Sequence, residues 1–265
     1  DAQALRGVQA VHTWDIHYRL GTFSDLFVVA LGRPCESPSV ILKMPKSSAA
    51  AANLRRQNAI LAELRQDPRL SDWSGLLPHI LAEGQVKGQP YTIENIVPGT
   101  TLGELLFDPL RRDRALQSTV GAIGELHRRT ARLTPVDAQL LERWVDAPMA
   151  VLERMSEAGL HEKRNSPAIA RLGAELRAGL NGRTITTSWT HGDFGPANVL
   201  LTADGRRVTG IIDWDCAAST GLPAADLMLL LLAMRTPANF RAMGEVMQEL
   251  LSDAGWTADE LKVFG

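Results

Sequence analysis

The periodicity of the chain changes near residue 98, and that change limits the folds open to it. Before it, short segments rich in Val, Ile, Tyr and Phe alternate apolar and polar positions, as half-buried strands do. They cover 14–20, 26–31, 40–44, 80–83 and 91–97, and Val86-Lys-Gly-Gln89 reads as a hairpin turn between the last two. One helix interrupts them at 50–66, where Leu54, Gln57, Leu61 and Leu64 fall on one face. After residue 98 the apolar spacing is mostly helical. The segment 111–129 carries Leu116, Val120, Ile123 and His127 on one stripe, 137–180 holds further helices broken near Asn165-Ser-Pro167, and the chain from 224 on is helical. Short strands at 184–190, 199–202 and 208–212 interrupt this second part. The expectation is an α+β fold in two lobes: residues 1–97 as a β-rich lobe with one main helix, and 98–265 as a larger, mainly helical lobe.

Composition removes several classes of function. A formal net charge of −2 gives no footprint for nucleic acid or an anionic membrane. No apolar run reaches the roughly 18 residues of a membrane helix. The two cysteines, Cys35 and Cys216, both in apolar sequence surroundings, make neither a disulfide framework nor a metal cluster. The N-terminus lacks the apolar stretch of a signal peptide. A cytoplasmic location is expected. The first residue is Asp rather than Met, which reads as a trimmed start or a piece of a longer protein.

One loop concentrates the chemistry. His191-Gly-Asp193-x4-Asn198 lies between two strand-like segments, and Ile211-Ile-Asp213 ends the next one. An Asp and an Asn five residues apart on a tight loop can face one cleft, and the second Asp can meet them from the side. Phosphoryl transfer needs such a set: a carboxylate to accept or orient a hydroxyl proton, and oxygen ligands to hold Mg²⁺ against nucleotide phosphates. Lys43, in the apolar strand Val40-Ile-Leu-Lys43-Met44, is costly to bury unless it is paired. The turn from Gly21 to Ser24 can cradle phosphate through backbone N–H groups and the Ser24 hydroxyl.

At these residues the chain resembles the aminoglycoside phosphotransferase and choline kinase family, which has a bilobal protein-kinase-like fold. The family pattern H-G-D-x4-N followed by I-D-[WF]-[DE] is matched by His191-Gly-Asp193-Phe-Gly-Pro-Ala-Asn198 and Ile212-Asp213-Trp-Asp215, and Gly221-x-Pro223-x-x-Asp226 resembles its continuation. The resemblance implies Asp193 as general base and Asn198 and Asp213 as Mg²⁺ ligands. His191 would order the loop, and Asp215 would either support the metal or brace the loop. It also implies that Gly21, Ser24 and Lys43 bind the phosphates of ATP or GTP. The segment Ile93-Glu-Asn95-Ile-Val97-Pro-Gly99 resembles the family's lobe connection, implying that the Asn95 carbonyl and the Val97 N–H contact the base. Three positions depart from the family pattern: Thr22 replaces a glycine, Asp25 replaces an asparagine, and Gln57 stands where a helix glutamate pairs with the lysine. Gln57 offers Lys43 a hydrogen bond without charge, so Lys43 is expected to be held less tightly or to pair with the nucleotide alone. His127 sits on an apolar helix stripe and reads as a core histidine.

The expected activity is transfer of a nucleotide γ-phosphate to a small-molecule hydroxyl. Residues 134–185 carry seven acids and seven bases, and 214–265 seven acids and three bases, so a strongly cationic acceptor is not favoured over a sugar, amino alcohol or other metabolite. The alternative is a weak or inactive nucleotide-binding module with a regulatory role.

Overall fold

The computed structural model describes residues 15–20, 25–33, 35–157, 166–239, 243–250, 252 and 257. They fall into two compact units. One combines the chain up to Thr130 with the chain from Ser188 on, and the other is Ala131–Thr187. The expected lobe boundary at 97/98 falls inside the first unit.

In chain order the described elements begin with strands β1 (Asp15–Leu20), β2 (Leu26–Gly32) and β3 (Val40–Pro45), then helix α1 (Ser48–Gln66). Strands β4 (Ile80–Val86), β5 (Gln89–Asn95) and β6 (Thr100–Thr101) follow, with helices α2 (Leu102–Leu105) and α3 (Pro109–Thr130). Next come strand β7 (Arg132–Pro135) and helices α4 (Ala138–Leu141), α5 (Ala147–Glu157) and α6 (Ser166–Leu180). Strands β8 (Thr184–Thr190), β9 (Val199–Leu201), β10 (Val208–Ile211) and β11 (Ala218–Gly221) lead into helices α7 (Pro223–Asn239) and α8 (Met243–Leu250).

In the first unit, β1 to β5 form an antiparallel sheet in the order β1-β2-β3-β5-β4. The β4–β5 hairpin closes at Lys87 and Gly88, whose φ values of 51° and 79° are those of a two-residue I′ turn. That turn starts β5 at Gln89, two residues before the expected strand. Ser47 caps α1, its hydroxyl accepting the Ala50 N–H at 3.2 Å, and an alanine run favours the first turns. Pro68 stands just past the C-cap Asp67 and cannot continue the helix. The expected stripe holds: Leu54, Gln57, Leu61 and Leu64 are all buried. Full burial of Leu61 and Leu64 contributes roughly 1.5–3 kcal/mol each.

The main core joins the end of α1 to α3 and to the β9–β10 hairpin, with Phe194 and Trp214 fully buried in it. His127 is buried on α3, on the stripe expected for it. In the second unit, β7 pairs with the first residues of β8, and Val136, Leu140, Leu141 and Val145 form a small core of their own. Cys35 and Cys216 are exposed free thiols, contrary to their apolar sequence neighbours. Cys35 lies on a turn at φ 64° and Cys216 in the loop after Asp213, so neither is carried inward by a regular element. No described helix is long and apolar enough to cross a membrane.

Candidate active site

The β9–β10 hairpin places two of the expected residues at one end. Asn198 stands immediately before β9 and Asp213 just after β10, and antiparallel pairing of Val199 with Ile211 brings them together. The Ile212 N–H donates to the Asn198 carbonyl at 2.9 Å. Asp193, five residues before Asn198, is exposed and turned to the same place. Asn198 Nδ2 donates to the Asp193 carbonyl at 2.9 Å and to Asp193 Oδ2 at 3.2 Å. With its amide nitrogen so engaged, Asn198 keeps its amide oxygen for another partner. Asp193, Asp213 and the half-buried Asp215 line one cavity of about 330 Å³, together with Asp25, Gln57 and Cys216.

The loop is anchored from below. Asp226, at the start of α7, is fully buried, and its two oxygens accept three hydrogen bonds. Oδ1 accepts the Gly192 N–H at 2.9 Å, while Oδ2 accepts the His191 N–H at 2.9 Å and lies 3.0 Å from His127 Nε2. The His191 ring is fully buried, edge-on to Phe194 and Trp214. Its Nε2 reaches the Ile212 carbonyl at 2.8 Å and its Nδ1 accepts the Asp193 N–H at 3.3 Å. Burial pushes this imidazole below its ordinary value, against the pull of the Ile212 carbonyl and of the nearby carboxylates. A neutral ring that donates from Nε2 and accepts at Nδ1 matches both contacts.

Gly192 has φ 80°, and a Cβ there would lie 2.3 Å from the Cys216 carbonyl oxygen, so only glycine fits between the loop and the segment after Asp213. Asp213 itself has φ 63°, a left-handed conformation that Asp tolerates better than most residues.

Lys43 is paired, which corrects the expectation of a loosely held lysine. Its Nζ lies 2.8 Å from Glu94 Oε1 and 3.4 Å from Asp213 Oδ1. Burial alone would lower this ammonium, but the Glu94 and Asp213 carboxylates outweigh it and hold Lys43 above the ordinary lysine value. Gln57 is buried on α1, yet its Nε2 has no hydrogen-bond partner among the described residues. Glu94 was legible only as an acid inside the apolar strand Tyr91-Thr-Ile-Glu94, the same anomaly that singled out Lys43.

Asn95 ends β5, where its side-chain oxygen accepts the His79 N–H at 2.6 Å. Val97 lies just beyond, and its N–H carries no hydrogen bond among the described residues. Gly21 and Ser24 lie outside the described residues. Among the described residues no group of three or more His, Cys, Asp or Glu side chains could hold a metal by itself. The candidate donors are the Asp213 carboxylate and the Asn198 amide oxygen. All-oxygen donors that few in number suit a hard cation completing its shell with waters and phosphate oxygens, the usual habit of Mg²⁺.

The family model of the phosphotransferase enzyme family matches residues 24–261. No curated protein matches the chain. Solved structures do. One is the GDP complex of a mutant aminoglycoside 2'-phosphotransferase-IIIa, 16% identical, covering 99% of this chain and 94% of that one, with a TM-score of 0.56. Another is the aminoglycoside phosphotransferase APH(3'')-Id from Streptomyces rimosus in complex with ADP and streptomycin, 18% identical over 99% and 94%, TM-score 0.53. A third is an aminoglycoside-3'-phosphotransferase of type VIII, 17% identical over 99% and 96%, TM-score 0.51. At these identities the likeness shows the fold, the protein-kinase-like α+β architecture expected from the sequence.

Proposed function

The chain belongs to the phosphotransferase enzyme family, and on that premise we propose that it moves the γ-phosphate of ATP or GTP to a hydroxyl of a small molecule, with Mg²⁺. The observation that carries this reading is the convergence of Asp193 and Asp213 on one cavity, with Asn198 hydrogen-bonded to the Asp193 carboxylate and Lys43 held against Asp213.

Asp193, Asn198, Asp213 and Lys43 have roles that their geometry supports. Asp193 is exposed and reachable by a substrate hydroxyl, whose proton it orients or accepts. Asn198 fixes the Asp193 carboxylate through its amide nitrogen, and with Asp213 it would hold the metal. Mg²⁺, when bound, neutralises charge on the phosphate oxygens. Lys43 presents an ammonium to the α- and β-phosphates. Gly21 and Ser24 would line the phosphate turn, and the Asn95 carbonyl and Val97 N–H the base edge. Residues 1–97 would then serve the nucleotide, and the helical part of 98–265 the acceptor.

For the acceptor, the complex of a relative with streptomycin keeps aminoglycosides under test beside sugars and amino alcohols. Gln57, beside Asp25, is one reason to read the chain as an inactive nucleotide-binding module. With Lys43 paired to Glu94, that reason loses its weight. We propose a cytoplasmic enzyme that needs neither nucleic acid nor membrane.

A screen of hydroxyl metabolites and antibiotics with purified protein, Mg²⁺ and each nucleotide, reading ADP or GDP release, tests the proposal. Release should depend on one acceptor class and fall on the order of 10²–10⁴-fold in Asp193→Asn. Nucleotide binding with no turnover for any acceptor would return the inactive module.

A further inference from the structure

We infer that Glu94 is the positioning residue for Lys43, taking over from strand β5 a role that kinase-like folds give to a helix glutamate. The inference rests on the phosphotransferase reading above.

The pairing follows from register. Lys43 stands opposite Thr92 and Ile41 opposite Glu94, so Lys43 and Glu94 are diagonal neighbours on one face of the β3–β5 pair. Both side chains are 5% exposed. A lysine buried to that degree keeps its charge only beside an anion. Of its two carboxylate neighbours, Asp213 is the farther, at 3.4 Å, and 51% exposed. Asp213 is also the one proposed to hold the metal, which would engage its charge. Glu94 remains as the dedicated counter-ion.

Helix α1 does not compete for the task. Gln57 supplies no charge, and its buried nitrogen has no partner among the described residues. Its neighbours in sequence dock the helix elsewhere. Arg56 Nη2 donates to the Ala217 carbonyl at 3.1 Å, and Asn58 Nδ2 donates to Thr92 Oγ1 at 2.8 Å and Glu83 Oε2 at 2.9 Å. The helix is therefore tied to the segment after Asp213 and to the sheet without passing through Lys43. A counter-ion on the adjacent strand is fixed by the same backbone ladder that fixes the lysine. Lys43 then keeps its aim whatever the position of α1.

Calorimetric titration with Mg-ATP and with Mg-GTP tests this in wild type, Glu94→Gln, Gln57→Ala and the double variant Glu94→Gln/Gln57→Glu. Unfolding of the nucleotide-free proteins is followed in parallel. Glu94→Gln should weaken nucleotide affinity by about tenfold, the scale of one charge-assisted contact. Gln57→Ala should stay within about twofold of wild type. The double variant should regain part of the loss, because it restores on α1 the carboxylate that the family pattern has at this helix position. Wild-type affinity in Glu94→Gln, with or without a lower unfolding temperature, overturns the inference and leaves the phosphotransferase reading standing. A larger loss in Gln57→Ala than in Glu94→Gln overturns it too, in favour of the helix amide. If wild type binds neither nucleotide, the phosphotransferase reading fails and takes the inference with it.

Discussion

Asp213 combines two demands that a substitution can separate. Its φ of 63° is a left-handed conformation that costs most L-residues roughly 1–2 kcal/mol, less for Asp and Asn, whose short side chains bond locally. Its carboxylate faces the cavity as the proposed metal donor. Asp213→Asn keeps the backbone preference and removes the charge. Its unfolding midpoint should stay near wild type, while Mg²⁺-dependent turnover falls on the order of 100-fold. Asp213→Ala should lose turnover and about 1 kcal/mol of stability besides, read from denaturant curves. Equal stability of the two variants would remove the conformational half of the argument. The same reasoning explains what was legible from sequence at this scale. Asp193, Asn198 and Asp213 stand out because their chemistry is packed into short contiguous motifs. Glu94 does not, because its meaning depends on which strand lies beside β3, and strand order is a property of the sheet rather than of the segment.

At the scale of elements, the proposed catalytic loop is a span held between two anchors. One is the β9–β10 hairpin, and the other is the buried Asp226 at the start of α7, which accepts the His191 and Gly192 N–H groups and meets His127 of α3. Asp226→Asn turns one acceptor oxygen into a donor nitrogen facing another donor. Whichever way the amide is turned, one contact becomes repulsive and a backbone N–H or the imidazole is left without its acceptor. The expected cost is about 2–4 kcal/mol, measurable by chemical denaturation, with loss of turnover even where the protein remains folded. A variant of wild-type stability would show that the loop does not depend on this carboxylate. Periodicity found the long helices and the strands of the first sheet, since those elements repeat a pattern over many residues. It did not find β6, β7 or β11, which are two to four residues long and exist only through pairing with β9 or β8.

Across the whole molecule, the loop, the main core and the pH response meet at His191. The ring is fully buried against Trp214 and Phe194, and Trp214 stacks edge-on with Trp73. Protonating the ring would cost it the Asp193 N–H at Nδ1 as well as the burial of a charge. The folded protein therefore holds His191 below the ordinary value of 6.5, and the unfolded chain takes up the proton first as pH falls. The sign follows from linkage. Stability from this group is fully present above pH 6.5 and is lost as pH drops from there toward the lower folded value, by at most about 1.4 kcal/mol per pH unit. Denaturant unfolding followed by tryptophan fluorescence should show a lower midpoint at pH 5.5 than at pH 7.5. The comparison that isolates His191 from the other histidines of the chain is His191→Asn. That variant should be less stable than wild type at pH 7.5 but should show a shallower decline toward pH 5.5. A decline as steep as that of wild type would place the acid sensitivity in another group.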